Sequence, residues 1–149
     1  MNSSLDDVVI QGDDEYDLLI AEMHEIVPGL WLGCQPERVN PIIKFVVSVN
    51  GKKHYSSPAV QYISTYYEDG PTIPPEELLN GLADLVITMM KRGPVLVHCT
   101  AGMNRSALLV GLVLIKIGMA PADAIELMRT KRSKSVLHNI FFRNWLLAR

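Results

Sequence analysis

The chain is expected to be one α/β domain, a central mixed sheet flanked by helices, on three observations. Segments rich in β-branched and aromatic residues alternate with segments whose apolar residues recur at i, i+3/i+4 and i+7. The run Val95-Leu96-Val97 suits a strand buried on both faces, and residues 107–117 beyond a short polar stretch are apolar enough for a buried helix. The 149 residues, 48% hydrophobic and 20% charged, are enough for one core and too few for two ordinary domains.

Residues 1–25 carry eight of the sixteen acidic side chains and no Lys or Arg, so the net charge of −2 divides into −8 there and +6 over the rest. The expected organisation is an acidic, partly flexible leader over 1–25 and a folded domain over 26–149. Leu18, Leu19, Glu22, Met23 and Ile26 stand at helical spacing, which predicts a short helix over 15–26. Apolar residues around Pro28-Gly29 predict two short extended pieces over 26–33 at a sheet edge, where proline is tolerated. Phe45-Val46-Val47-Ser48-Val49 reads as a buried strand, closed by the turn pair Asn50-Gly51. A polar loop over 52–58 precedes β-type residues over 59–66, and three prolines and a glycine over 69–75 dictate a loop. Leu78, Leu79, Leu82, Leu85, Val86, Met89 and Met90 predict a core-facing helix from Pro75 to Met90, ended by Gly93-Pro94. Further helices are expected over 105–117, over 121–129 with Pro121 in the first turn, and over 140–147 capped by Asn139.

The polar stretch between the buried strand and the buried helix holds the chemistry. A loop at such a junction points several backbone N–H groups at one place, because the first helical turn lacks intrahelical acceptors, and that place suits an anion. Cys99 opens this loop and Arg105 closes it. The N–H groups, the helix terminus and the guanidinium all favour a negative sulfur, which makes Cys99 a candidate thiolate nucleophile. Arg105 has the planar fork that binds two phosphate oxygens together. Gly102 permits close backbone approach and unusual dihedrals. Ser106 can place its hydroxyl near the sulfur and improve it as a leaving group, or can be a plain residue of the helix start. A lone buried cysteine is usually an inert small hydrophobe; five polar and glycine positions at fixed spacing between a strand and a helix are not.

His98-Cys99-x-x-Gly102-x-x-Arg105-Ser106 resembles the signature loop of the cysteine-dependent protein tyrosine phosphatases, nearest to the small, atypical dual-specificity members. Val27 to Gly33 resembles that family's opening strand and residues 140–147 its closing helix, so the likeness covers roughly 26–149. It implies a protein tyrosine phosphatase-like fold and a phosphatase acting on phosphotyrosine and phosphoserine/phosphothreonine in proteins through a cysteinyl-phosphate. Cys99, Arg105 and Ser106 would be catalytic. Thr100, Ala101, Gly102, Met103, Asn104 and Arg105 would bind phosphate, and His98 would orient the loop. A leaving alkoxide or phenoxide needs a proton. The family supplies it from an aspartate about thirty residues before its cysteine, after a strand rich in aromatics; Asp69 stands there, with Glu68 as the neighbour that could be confused with it.

Asn104 departs from the family's usual serine and is similar to the RNA 5′-triphosphatase branch, so an RNA or other non-protein phosphate is the alternative substrate. A phosphate-binding module without turnover is the alternative of another class; it would be expected to have lost Cys99 or Arg105, and both are present. Lysines that phosphoinositide enzymes of this superfamily place in the loop are absent at Thr100, Ala101 and Met103. The four histidines are scattered, so no metal and no other cofactor is expected. The longest apolar run, 107–115, is about half of the ~20 residues a membrane helix needs. Two cysteines and an acidic amino terminus without signal-peptide layout predict a protein of the cytoplasm, or of the nucleus, with Cys34 in a packing role. Lys131, Arg132 and Lys134 are expected to attract acidic sequences around the phosphate.

Overall fold

The computed structural model describes residues 22–52 and 60–149. Five strands, β1 (Met23–Val27), β2 (Leu30–Gly33), β3 (Phe45–Ser48), β4 (Gln61–Ser64) and β5 (Val95–His98), form one sheet in the order β1-β2-β5-β3-β4. β1 and β2 are antiparallel, and the other three pairings are parallel, so the sheet is mixed. The helices among the described residues are α1 (Glu76–Met90), α2 (Arg105–Lys116), α3 (Pro121–Lys131) and α4 (Ile140–Leu147). The predicted loop over 69–75 and the four helices predicted from Pro75 onward are present, with boundaries shifted by at most two residues.

β5 lies at the centre of the sheet because all of its residues can be buried. Val95 and Val97 face the larger core, with Leu30, Leu32, Phe45 and Val47 from neighbouring strands and with Leu79, Ala83, Leu108, Leu112, Met128 and Phe142 from the four helices. Leu96 faces the other way, into a smaller cluster with Met23, Val39, Ile43 and Val46 to which the helices contribute no residue. The larger core therefore sits between the sheet and the helices, and α2 lies inside it, with every residue from Ser106 to Leu114 buried. That burial explains why α2 is apolar on all sides, as a helix enclosed by the sheet and its neighbours must be.

One expectation is corrected. Residues 15–21 lie outside the described residues, but Met23 to Ile26 belong to strand β1 rather than to a helix. Met23 and Ile26 are both buried, three residues apart, because the pairing with β2 slips between Glu25 and Val27. Such a bulge adds one residue to the strand and turns the two-residue period into a spacing that imitates a helical one. Among the described residues the sheet consequently starts at Met23, inside the stretch expected to be the leader. The polar loop expected over 52–58 lies outside the described residues from 53 onward.

β5 ends at His98, whose ring is 0% exposed. Burial lowers its pKa from 6.5 to about 4, partly opposed by the bond from Nδ1 to the Cys99 carbonyl at 3.1 Å. The imidazole is therefore neutral in the folded chain at pH 7. As pH falls below 6.5 the unfolded state takes up a proton that the folded state refuses until about 4, so the stability this group contributes is complete above 6.5 and is lost across that window. We predict that His98→Gln removes roughly 2–3 kcal/mol of the wild-type loss of unfolding free energy between pH 7 and 4.5, as measured by denaturant titration. Parallel pH profiles for the two proteins would contradict this.

Candidate active site

The loop from Cys99 to Asn104 joins β5 to α2, and its path depends on Gly102. That residue has φ +71°, and a Cβ there would lie 2.3 Å from the Gly33 carbonyl oxygen at the end of β2. Only glycine permits both the left-handed backbone and this approach. The Gln35 N–H donates to the Thr100 carbonyl at 3.0 Å, which ties the loop to the chain beyond β2 from the other side. Arg132, on the turn after α3, donates from Nε to the Gly102 carbonyl at 2.8 Å and from NH2 to the Ala101 carbonyl at 3.0 Å. The carbonyls of Thr100, Ala101 and Gly102 are thus all bonded to groups outside the loop.

Cys99 stands at the base of the loop, 3% exposed. Its Sγ accepts from the Gly102 N–H at 3.2 Å and lies 3.2 Å from Ser106 Oγ. A hydroxyl donated to the sulfur from the first turn of α2 stabilises negative charge there, as does the helix terminus. Two features keep that terminus positive. No acidic residue occupies the first turn of α2, whereas α1 has Glu76 and Glu77, and the N-cap Asn104 makes no capping bond with its side chain. Arg105 donates from NH2 to Thr100 Oγ1 at 3.2 Å, and the same hydroxyl accepts from Asn50 Nδ2 at 3.1 Å. Thr100 thus steers the guanidinium through its side chain. Tyr67 donates its hydroxyl to the Arg105 carbonyl at 2.6 Å, and burial pushes that phenol well above its ordinary pKa, so it remains a donor.

Asp69 is exposed and is held from two sides. Asn104 Nδ2 donates to its Oδ2 at 3.0 Å, and Asn139 Nδ2 donates to its Oδ1 at 2.8 Å. Asn139 also caps α4, its Oδ1 accepting from the Phe141 and Phe142 N–H groups at 3.0 and 3.1 Å. Glu68 is exposed beside it, and the tie to Asn104 at the end of the loop belongs to Asp69. A cleft of about 520 Å³ opens beside Asp69, with Pro71, Ile140 and Phe141 among its walls.

The structure thus brings together Cys99, Arg105, Ser106 and the loop residues Thr100 to Asn104, places His98 behind them, and joins Asp69 to them through Asn104. Asn50, Tyr67, Arg132, His138 and Asn139 were not singled out for the site by sequence. Their sequence context marks Asn50 as a turn residue, Asn139 as a cap and Arg132 as surface charge. Cys34 and Cys99 are free thiols, and burial together with the Glu22 carboxylate pushes the Cys34 pKa up. Among the described residues no group of three or more His, Cys, Asp or Glu is placed to hold a metal ion.

The expected basic patch needs a correction at Arg132. Its fork is occupied by two loop carbonyls and by His24, whose Nδ1 lies 3.0 Å from NH1 and whose pKa is lowered by burial and by the guanidinium. Lys131 and Lys134 are exposed, and Lys134 lines a separate cavity with Glu126, Arg129 and Thr130. Hydrogen bonds from a charged donor contribute about 1.5–3 kcal/mol, against about 0.2–1 for an exposed ion pair, so the brace outweighs any steering by Arg132. Arg132→Lys keeps the charge and loses the fork. We predict a fall of about tenfold in kcat/KM on an aryl phosphate, consistent with a loop displaced by a fraction of an ångström. Unchanged kinetics in that variant would return Arg132 to the role of a surface charge.

Comparison with known proteins follows the same lines. The chain is 32% identical over 100 residues to the tyrosine-protein phosphatase CDC14 homolog of Schizosaccharomyces pombe, covering 64% of this chain and 18% of that protein. It is 29% identical over 97 residues to protein tyrosine phosphatase type IVA 2 of Mus musculus, covering 63% and 58%. The match therefore spans less than two thirds of either relative. The crystal structure of human DUSP28 shares the fold, with a TM-score of 0.72 at 20% identity over 84% of this chain and 93% of that one. The catalytic-domain family of the dual specificity phosphatases matches residues 30–149. With Cys99, Gly102, Arg105 and Ser106 set on the strand, loop and helix of that fold, the chain belongs to the dual-specificity phosphatase family of the cysteine-dependent protein tyrosine phosphatase superfamily.

Proposed function

We propose that the protein hydrolyses phosphotyrosine and phosphoserine/phosphothreonine in phosphorylated proteins through a phosphocysteine at Cys99. The observation that carries this is the sulfur's position: Sγ has the Gly102 N–H and the Ser106 hydroxyl each at 3.2 Å, at the base of a loop that ends in Arg105. In the first step the sulfur attacks phosphorus and the bond to the leaving oxygen breaks as Asp69 gives that oxygen its proton. In the second, water attacks the thiophosphate, Asp69 takes the water's proton, and the sulfur leaves as a thiolate stabilised by Ser106. Arg105 and the N–H groups of Thr100 to Asn104 hold the equatorial oxygens through both steps.

Two features support protein rather than RNA substrates. Asn104, the residue that suggested the RNA branch, spends its side chain on Asp69, His138 and Asn139. The cleft beside Asp69, walled by Pro71, Ile140 and Phe141, can receive the apolar body of a phosphorylated side chain or its neighbour. A thiolate nucleophile needs a reducing compartment, so we place the protein in the cytoplasm or nucleus. No helix among the described residues is long and apolar enough to cross a membrane.

Cys99→Ser is expected to lose turnover of 4-nitrophenyl phosphate by more than about 10³-fold while inorganic phosphate still binds, as read by calorimetry. Matched phosphotyrosine and phosphothreonine peptides should both be hydrolysed by the wild-type protein, and a triphosphate-ended RNA far more slowly. Native-rate hydrolysis by the serine variant would contradict the mechanism. Turnover of the RNA alone would contradict the substrate class.

A further inference from the structure

Asn104 is 4% exposed, and its amide is fully committed within the protein. The Asn139 backbone N–H can only donate, so the atom it meets at 2.9 Å is Asn104 Oδ1. Nδ2 then turns its two hydrogens to Asp69 Oδ2 at 3.0 Å and to His138 Nε2 at 3.1 Å, and both must accept. His138 can accept there because its Nδ1 lies 3.0 Å from the Ser135 carbonyl, which can only accept and so draws the ring proton to Nδ1. The same reasoning fixes Asn139. Its Oδ1 faces two helical N–H groups, so Nδ2 faces Asp69 Oδ1 at 2.8 Å and the Gly70 carbonyl at 3.0 Å. Each carboxyl oxygen of Asp69 therefore takes one amide hydrogen from a donor whose orientation is set by backbone groups.

We propose that Asn104, with Asn139, is a positioning residue that holds the Asp69 carboxyl in register with the phosphate loop; this rests on the reading of Asp69 as the general acid. An aspartate on an exposed loop turns freely about two bonds, and proton transfer demands that it not do so. Asn104 immediately precedes Arg105, so the residue that grips phosphate and the residue that grips the acid are adjacent in one chain segment. When Asp69 gives up its proton as the P–O bond breaks, the carboxylate formed retains both amide donors, and its orientation is preserved for taking the proton of water in the second step. At position 104 a serine would lack the reach and the two hydrogens with which the amide meets Asp69 and His138 together.

The test separates positioning from mere support by the leaving group. Phenyl phosphate needs an acid to expel phenoxide far more than 4-nitrophenyl phosphate does, so the ratio of kcat/KM on the second to kcat/KM on the first, which covers only the steps up to leaving-group departure, reports the acid apart from the base of the second step. Asp69→Asn should raise that ratio by about 10²-fold or more. Asn104→Ser should raise it by about tenfold, with KM for both substrates unchanged. Asn139→Ser, which keeps a capping oxygen for α4 but has no amide, should raise it likewise and serves should the first variant fail to fold. Equal losses on both substrates in the asparagine variants, beside a raised ratio in Asp69→Asn, would overturn the positioning role and leave the acid in place. An unmoved ratio in Asp69→Asn would overturn the acid and the positioning with it.

Discussion

The approach of the Gly102 backbone to the Gly33 carbonyl decides how the chain leaves the sheet, and the site depends on that departure. β5 is paired on both sides, with Gly33 opposite His98 on one flank and Ser48 opposite it on the other. A chain leaving such a central strand has to turn over the end of a neighbour before it can enter a helix. Here it does so with φ +71° at Gly102, pressed against β2. The turn places the Gly102 N–H on the sulfur of Cys99 and delivers Asn104 and Arg105 to the start of α2. The proposed nucleophile, phosphate grip and acid tether thus all follow from one backbone reversal at the centre of the sheet.

Around that reversal the polar groups fall into two shells of different duty. The carbonyls of the loop are taken up from outside by Arg132 and by the Gln35 N–H. The side chains of Thr100 and Asn104 bond within the protein, one to Arg105 and the other to Asp69. No buried side-chain nitrogen or oxygen among the described residues lacks a partner, which is what a site held in one geometry before substrate arrives requires. The positive pole of α2 is the exception by design, since neither an acidic side chain nor a cap neutralises it.

The loop was legible in the sequence because its parts are local: Cys99, Gly102, Arg105 and Ser106 lie within one strand-to-helix junction, and their chemistry follows from that junction. Asp69 was reached only through resemblance, since an aspartate in a proline-rich loop carries no mark of its own. The site contacts of Arg132, Asn139 and Asn50 were not legible because their partners are chosen by the fold, at separations of 30 to 70 residues, and nothing in their neighbours' spacing reveals a bond to Gly102, Asp69 or Thr100. β1 was misread for the opposite reason: local spacing spoke clearly and wrongly, because a bulge displaced Ile26 by one residue. Periodicity reports burial, and a bulged strand can bury residues at a helix's interval.

The covalent intermediate is the claim on which the rest converges. Protein mixed with excess 4-nitrophenyl phosphate and quenched in acid within milliseconds can be digested and its peptides sequenced by mass spectrometry. One phosphoryl group on Cys99, present during turnover and gone when substrate is exhausted, is the predicted result. A phosphoryl group on His98, or a chain that carries none at any time while product accumulates, would contradict it.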